Sequence, residues 1–256
     1  TTAPTLTLTA QPATFTSTAT PTFSVSSNET VTYTCQIDGG AWQACAATTT
    51  TAALAEGEHT VVIRGTDASG NRSSVSSTFT VDRTAPGAAI TAAPAELTQG
   101  TTARFDFTAT EPVTSSCRLD DGAWSACEGT ASYASLADGL HTFSLKVRDR
   151  AGNESTVVTR KWTVDTTAPV VAFSTAQNRL VNTRSAGIAF SASEAATFTC
   201  RVDDGAWGPC ESPFAPVVLT DGAVPGVLPG NCRVLEFGAA SQAGRGARYA
   251  AALARE

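Results

Sequence analysis

The chain of 256 residues carries a formal net charge of −6, with 42% hydrophobic and only 16% charged residues. That length accommodates one to three domains with packed cores. The lack of any apolar run of about 18 residues excludes a membrane-spanning helix, and the acidic balance without basic clusters excludes a nucleic-acid binder.

In chain order, the sequence opens on Thr1-Thr2-Ala3-Pro4 with no Met and no charged segment followed by an apolar one. It is therefore expected to be an excerpt of a longer polypeptide. Two Lys (Lys146, Lys161) stand against fifteen Arg, the usage of a GC-rich coding sequence. Thr5-Leu6-Thr7-Leu8-Thr9 alternates apolar and polar residues, which predicts a half-buried strand. Phe23 and Val25 alternate with Ser in the same way, and the pattern returns at Phe105 and Phe107 and at Ile188 and Phe190. Its clearest instance is His141 to Arg148, where Phe143, Leu145 and Val147 point one way and Ser144, Lys146 and Arg148 the other. Asp38-Gly39-Gly40, Glu56-Gly57, Ser69-Gly70-Asn71, Asp121-Gly122 and Asp138-Gly139 supply the turns between such runs.

These elements repeat. Cys35 recurs at Cys117 and Cys200, Trp42 at Trp124 and Trp207, and His59 at His141, all at offsets of 82 or 83. Val81-Asp82-Arg83-Thr84-Ala85-Pro86 recurs as Val164-Asp165-Thr166-Thr167-Ala168-Pro169. The repeats run over 1–83, 84–166 and, in part, 167–222, followed by a non-repeat tail over 223–256. About seven short strands in some 80 residues is the size of an immunoglobulin-like sandwich. The fold class expected is all-β, as tandem immunoglobulin-like sandwiches.

Six of the seven cysteines form three pairs of identical spacing, Cys35 with Cys45, Cys117 with Cys127 and Cys200 with Cys210. Each pair brackets a turn, so a hairpin centred on that turn sets its two cysteines across from each other, within reach of a disulfide. C-x9-C is neither zinc-finger nor redox spacing. Three disulfides imply an oxidising compartment and hence an exported, extracellular protein.

Cys232 is left over in the tail. After Gly222 the repeat text breaks off: residues 223–256 hold four Arg, two Glu and no Thr. A frameshift or chimeric join near Gly222 accounts for this. The alternative is a genuine segment, irregular or disordered apart from a short Ala-rich helix from Ala247 to Ala254. Either way the third repeat is expected to lack its last two strands and to leave an unpaired edge.

The Val-Asp-Thr-Thr-Ala-Pro joint, the Cys…Asp-Gly-Ala-Trp…Cys hairpin, the Leu-x-Asp-Gly-x-His-Thr stretch and the Asp-x-Ala-Gly-Asn turn together resemble bacterial Ig-like repeats of large secreted or surface proteins, of the Bap-like and giant-adhesin type. The resemblance covers about residues 3–222. It implies an extracellular β-sandwich serving as a spacer or adhesive repeat, often without activity of its own, whose partners are the neighbouring repeats of the same chain.

No nucleophile elbow, no H-E-x-x-H and no phosphate-binding Gly-rich loop is present, so no catalytic residue is assigned. Asp67, Asp82, Asp149 and Asp165 recur in register beside loops and linkers. They are candidates for calcium held where one repeat meets the next, or for turn caps and solvated linker groups; no other cofactor is expected. Trp42, Trp124 and Trp207 stand as glycan-stacking platforms or as packing beside the disulfides, and Trp162 reads as core. The function expected is a spacer array on the cell surface. The alternatives are a module gripping a glycan or host surface protein, and an accessory module of a secreted hydrolase.

Overall fold

The computed structural model describes residues 2–173, 189–202 and 206–213, together with the backbone of 234–241 and 246–252. Ile188, Cys232 and the join near Gly222 lie outside the described residues. The described residues contain strands and no helix.

The first repeat holds β1 (Leu6–Ala10), β2 (Phe15–Thr16), β3 (Thr22–Ser27), β4 (Thr32–Ile37), β5 (Gln43–Cys45), β6 (Thr48–Thr50), β7 (Gly57–Thr66) and β8 (Arg72–Val81). They form a three-stranded sheet, β1-β3-β6, and a five-stranded sheet, β2-β8-β7-β4-β5. β1 pairs antiparallel with β3, whereas β2 pairs parallel with β8. The opening segment thus changes sheets within a few residues, closing one edge of each. Alternation places the core between the sheets: Leu6, Phe23 and Val25 from one, Val61, Ile63, Phe79 and Val81 from the other, all buried. Phe23 and Phe79 meet across it with ring centroids 5.6 Å apart.

The second repeat has β9 (Ala88–Ala92), β10 (Leu97–Thr98), β11 (Ala103–Ala109), β12 (Thr114–Leu119), β13 (Ser125–Cys127), β14 (Thr130–Tyr133), β15 (Gly139–Arg148) and β16 (Val158–Val164). β11 pairs with β9, β12 with β13 and β15, and β10 runs parallel to β16. These are the pairings of the first repeat at an offset of one repeat length. Phe105, Phe143, Leu145, Val147 and Trp162 are each no more than 1% exposed, and Phe105 stacks on Phe143 at 4.1 Å. The chain divides into two compact units, Thr1–Ala92 with Phe105–Ala131 and Phe143–Arg160, and Ala93–Arg104 with Ser132–Thr142 and Lys161–Glu256.

The third repeat contributes β17 (Val171–Phe173), β18 (Phe190–Ala192), β19 (Ala196–Val202) and β20 (Gly208–Cys210). Here the expectation of an unpaired edge is corrected. The tail forms β21 (Val234–Ser241) and β22 (Gly246–Ala252), which extend the sheet in the order β20-β19-β21-β22. β21 pairs with β19 over seven residues, from Ala196↔Ser241 to Val202↔Leu235. The stretch read as irregular or as a helix near Ala247 is strand. An open edge presents a row of unsatisfied N–H and C=O groups, and satisfying them outweighs the weak strand preference of alanine.

Candidate functional site: the joints and their flanking loops

The disulfides form as paired in sequence, Cys35–Cys45, Cys117–Cys127 and Cys200–Cys210, with Cα separations of 5.8, 5.9 and 5.8 Å. Their register differs from the face-to-face placement expected. Cys35 lies opposite Gln43 and Cys45 opposite Tyr33, so the bridge runs diagonally across β4 and β5. The same diagonal recurs where Cys117 faces Ser125 and Cys200 faces Gly208. The right-handed twist between neighbouring strands shortens one diagonal, which brings these Cα atoms to disulfide distance. The first hairpin turns at Asp38 and Gly39, with φ of 51° and 70°, closed by the Gly40 amide donating to Ile37 O at 2.9 Å. Two consecutive positive φ values make the tight turn whose twist matches its strands.

His59 holds that turn from the side. Its Nδ1 donates to Asp38 Oδ2 at 2.6 Å and its Nε2 faces Ala55 O at 3.0 Å. Both partners only accept, so the doubly protonated ring satisfies both bonds. The bonds to Asp38 and to Ala55 O raise the imidazole pKa above its ordinary value, outweighing burial. Burial opposes ionisation of Asp38, but the bonds from His59 and from the Thr60 amide leave its carboxyl below the usual range. His141 repeats the second contact, with Nε2 2.9 Å from Ala137 O.

Carboxylates tie both joints. Asp82 Oδ1 accepts from the Thr84 amide at 3.0 Å, and Asp165 Oδ1 accepts from Thr167 at 3.1 Å. The Thr84 hydroxyl donates to Glu56 Oε2 at 3.0 Å, while those of Thr166 and Thr167 donate to Asp138 at 2.7 and 2.8 Å. Glu56 and Asp138 occupy equivalent turns, 82 residues apart. Beyond the joint, a two-bond clasp recurs. Thr5 and Asn28, Gly87 and Thr110, and Val170 and Ser193 each exchange a backbone bond and a side-chain-to-amide bond. Pro4, Pro86 and Pro169 are buried.

Of the four aspartates proposed for calcium, the structure brings Asp82 and Asp149 together. It adds Glu111, with one carboxylate oxygen from each residue within 4.8 Å of the others. Asp149 is 7% exposed and accepts from the Gly152 and Asn153 amides and from Asn153 Nδ2, at 2.7 to 2.9 Å. Burial opposes its ionisation, but these bonds hold its pKa below the ordinary value. Asp67 caps the equivalent turn of the first repeat, and its bond from Asn71 leads in lowering its pKa. It lines a different hollow, with Glu29. Asp165 lies beside Glu194, whose pKa is raised by burial and by the Asp165 charge. Glu29, Glu111 and Glu194 share one register, offset by 82 and 83. That register is the signal that would have revealed Glu111.

The tryptophans carry cations. The Arg64 guanidinium lies 3.8 Å over Trp42, Arg118 4.9 Å and Lys146 5.3 Å over Trp124, and Arg201 5.2 Å over Trp207. Trp42 is 37% exposed, yet this face is covered. Trp162 is core, as expected.

Residues 1–83 match the family model of the bacterial Ig-like domain, so the resemblance read from the motifs holds there. The chain is also similar in structure to fibronectin(III)-like modules of CbhA from Clostridium thermocellum, at 14% identity and a TM-score of 0.43, covering 62% of this chain and 94% of that one. A tetra-tandem repeat from the extending region of a large adhesion protein aligns at 16% identity and a TM-score of 0.34, over 98% of this chain and 73% of that one. A Ca2+-stabilised adhesin that helps an Antarctic bacterium bind ice aligns at 18% identity and a TM-score of 0.39, with the same coverages. No curated protein matches the chain.

Proposed function

We propose that this chain is a structural spacer array of an exported bacterial surface or adhesin-type protein, without catalytic activity of its own. The observation that carries this reading is the tying of the joints: a turn carboxylate, Glu56 or Asp138, binds the threonines of the linker that follows. With a buried proline next in line, such a linker has few backbone conformations left. A spacer needs that property, because slack at each joint shortens reach. The disulfides support an oxidising, extracellular setting. Nuclear spin relaxation tests the reading: the first two repeats should report one common tumbling tensor, and independent tensors would overturn it. The alternatives are a module gripping a glycan or host protein through its loops and an accessory module of a secreted hydrolase; stacking of a glycan on the tryptophans is disfavoured by the cations that already cover those faces.

A second reading concerns the joint between the first two repeats, favoured by the meeting of Asp82, Glu111 and Asp149. Three hard oxygen donors suit calcium, which takes six to eight oxygens in flexible geometry. The cation would neutralise three converging carboxylates and fasten the joint further.

A further inference from the structure

We propose that Asn28 is a site of covalent modification, the acceptor of an N-linked sugar from a diphosphate-activated donor. The chain holds three Asn-x-Ser/Thr sequences: Asn28-Glu29-Thr30, Asn71-Arg72-Ser73 and Asn153-Glu154-Ser155. Such a sequence is the acceptor signal for N-linked sugar, with the asparagine amide as nucleophile and the hydroxyl two residues on as the second recognised group. Both groups must be open to a transferase.

The structure separates the three. Asn71 Nδ2 donates to Asp67 Oδ2 at 2.7 Å, and Ser73 Oγ is buried. Asn153 Nδ2 donates to both Asp82 O and Asp149 Oδ2, while Ser155 Oγ accepts from the Val147 amide and donates to Thr156 O. Asn28 and Thr30 are both exposed, in the turn between β3 and β4. Asn28 Oδ1 accepts from the Thr5 amide at 2.8 Å, which leaves Nδ2 facing solvent with no bond among the described residues.

The same register in the other repeats shows that the fold requires neither residue. Thr110-Glu111-Pro112 and Ser193-Glu194-Ala195 stand there, offset by 82 and 83. Thr110 and Ser193 make the clasp with a hydroxyl oxygen. Asn28 supplies an equivalent oxygen and adds a nitrogen that the clasp does not use. Thr30 adds a hydroxyl where the other repeats have a proline ring or a methyl group. Two separate differences thus complete one acceptor signal, on the two side chains that stand open.

Transfer forms a bond from Nδ2 to the anomeric carbon of the sugar. The bond from that carbon to the diphosphate oxygen breaks, the diphosphate leaves with the electron pair, and an amide proton passes to a base of the transferase. Oδ1 is untouched, so the clasp to Thr5 survives. At Asn153 the same step would remove one of two donated bonds.

Peptide mapping by mass spectrometry, on the full chain purified from the bacterium that makes it, tests the assignment. The peptide bearing Asn28 should gain the mass of whole sugar residues, and those bearing Asn71 and Asn153 should gain none. Single-sugar steps identify a nucleotide-linked donor and one oligosaccharide block a polyprenyl-linked donor; both support the proposal. Asn28→Thr keeps an oxygen for the clasp, and Thr30→Ala installs the residue of the third repeat. Each should abolish the gain. An unmodified Asn28, a gain that persists in Thr30→Ala, or sugar on Asn71 or Asn153 instead overturns the proposal.

Discussion

Asn153 Nδ2 donates to the backbone oxygen of Asp82 at 2.9 Å, joining a turn of the second repeat to the last residue before the first linker. The same amide donates to Asp149 Oδ2 at 2.7 Å. One side chain therefore shapes its own turn and fastens the preceding repeat. Asn153→Ala removes both bonds, and Asn153→Asp brings a further carboxylate beside Asp149. Both should lower the melting temperature of the joined pair, Asn153→Asp more than Asn153→Ala. Equal melting temperatures for both variants and the unmodified chain would dismiss a fastening role.

The junction carboxylates make a second prediction. Calcium should raise the melting temperature of the full chain relative to chelator, and Glu111→Gln should reduce the rise. Removing a like charge also relieves repulsion when no cation is bound, so Glu111→Gln should melt slightly higher than the unmodified chain in chelator. An identical midpoint with calcium and with chelator would remove the metal reading and leave the spacer reading standing.

His59 gives a pH dependence of definite sign. Its folded-state pKa is raised, so its contribution is fully present below the unfolded value near 6.5 and is lost as pH rises through the folded value. The first repeat should therefore become less stable toward alkaline pH. His59→Gln keeps one donor but cannot titrate, and should flatten that part of the curve. Chemical denaturation at pH 6 and pH 9 reads this directly; a curve for the unmodified chain that rises with pH over this window would contradict the doubly bonded ring.

The bridges and the core should weigh comparably. Loss of the Cys35–Cys45 link by double substitution to alanine should cost roughly 3 kcal/mol, the chain-entropy value for so short a loop. Phe143→Ala should cost about 3–5 kcal/mol, because a ring stacked on Phe105 leaves a void that the sheets cannot collapse into. Urea midpoints of each variant provide the comparison. A Phe143→Ala cost below that of the bridge would mean that sulfur, rather than burial, dominates the stability of these repeats.

Much of this was legible because a two-residue period leaves little choice. Phe143, Leu145 and Val147 alternate with Ser144, Lys146 and Arg148; the three apolar residues are buried, but so is Ser144, at 1% exposure. Alternation names the core face without guaranteeing that the other face stays wet. Cysteine spacing gave the partners of each bridge but not the diagonal register, which depends on twist. Glu111 escaped notice because a single loop carboxylate has no local pattern; only comparison with Glu29 and Glu194 isolates it. The tail was misread because alanine favours helix in isolation, whereas the edge of β19 imposes its own hydrogen-bonding partner.

The clasp that follows each Ala-Pro joint is made by Asn28, Thr110 and Ser193, three different side chains performing one task. A connector indifferent to which oxygen-bearing residue supplies it can be copied along with its module. Modules gained or lost by recombination would then arrive with working couplings already in place. The length of such a protein becomes a quantity that selection can adjust in whole steps, without refitting the parts on either side.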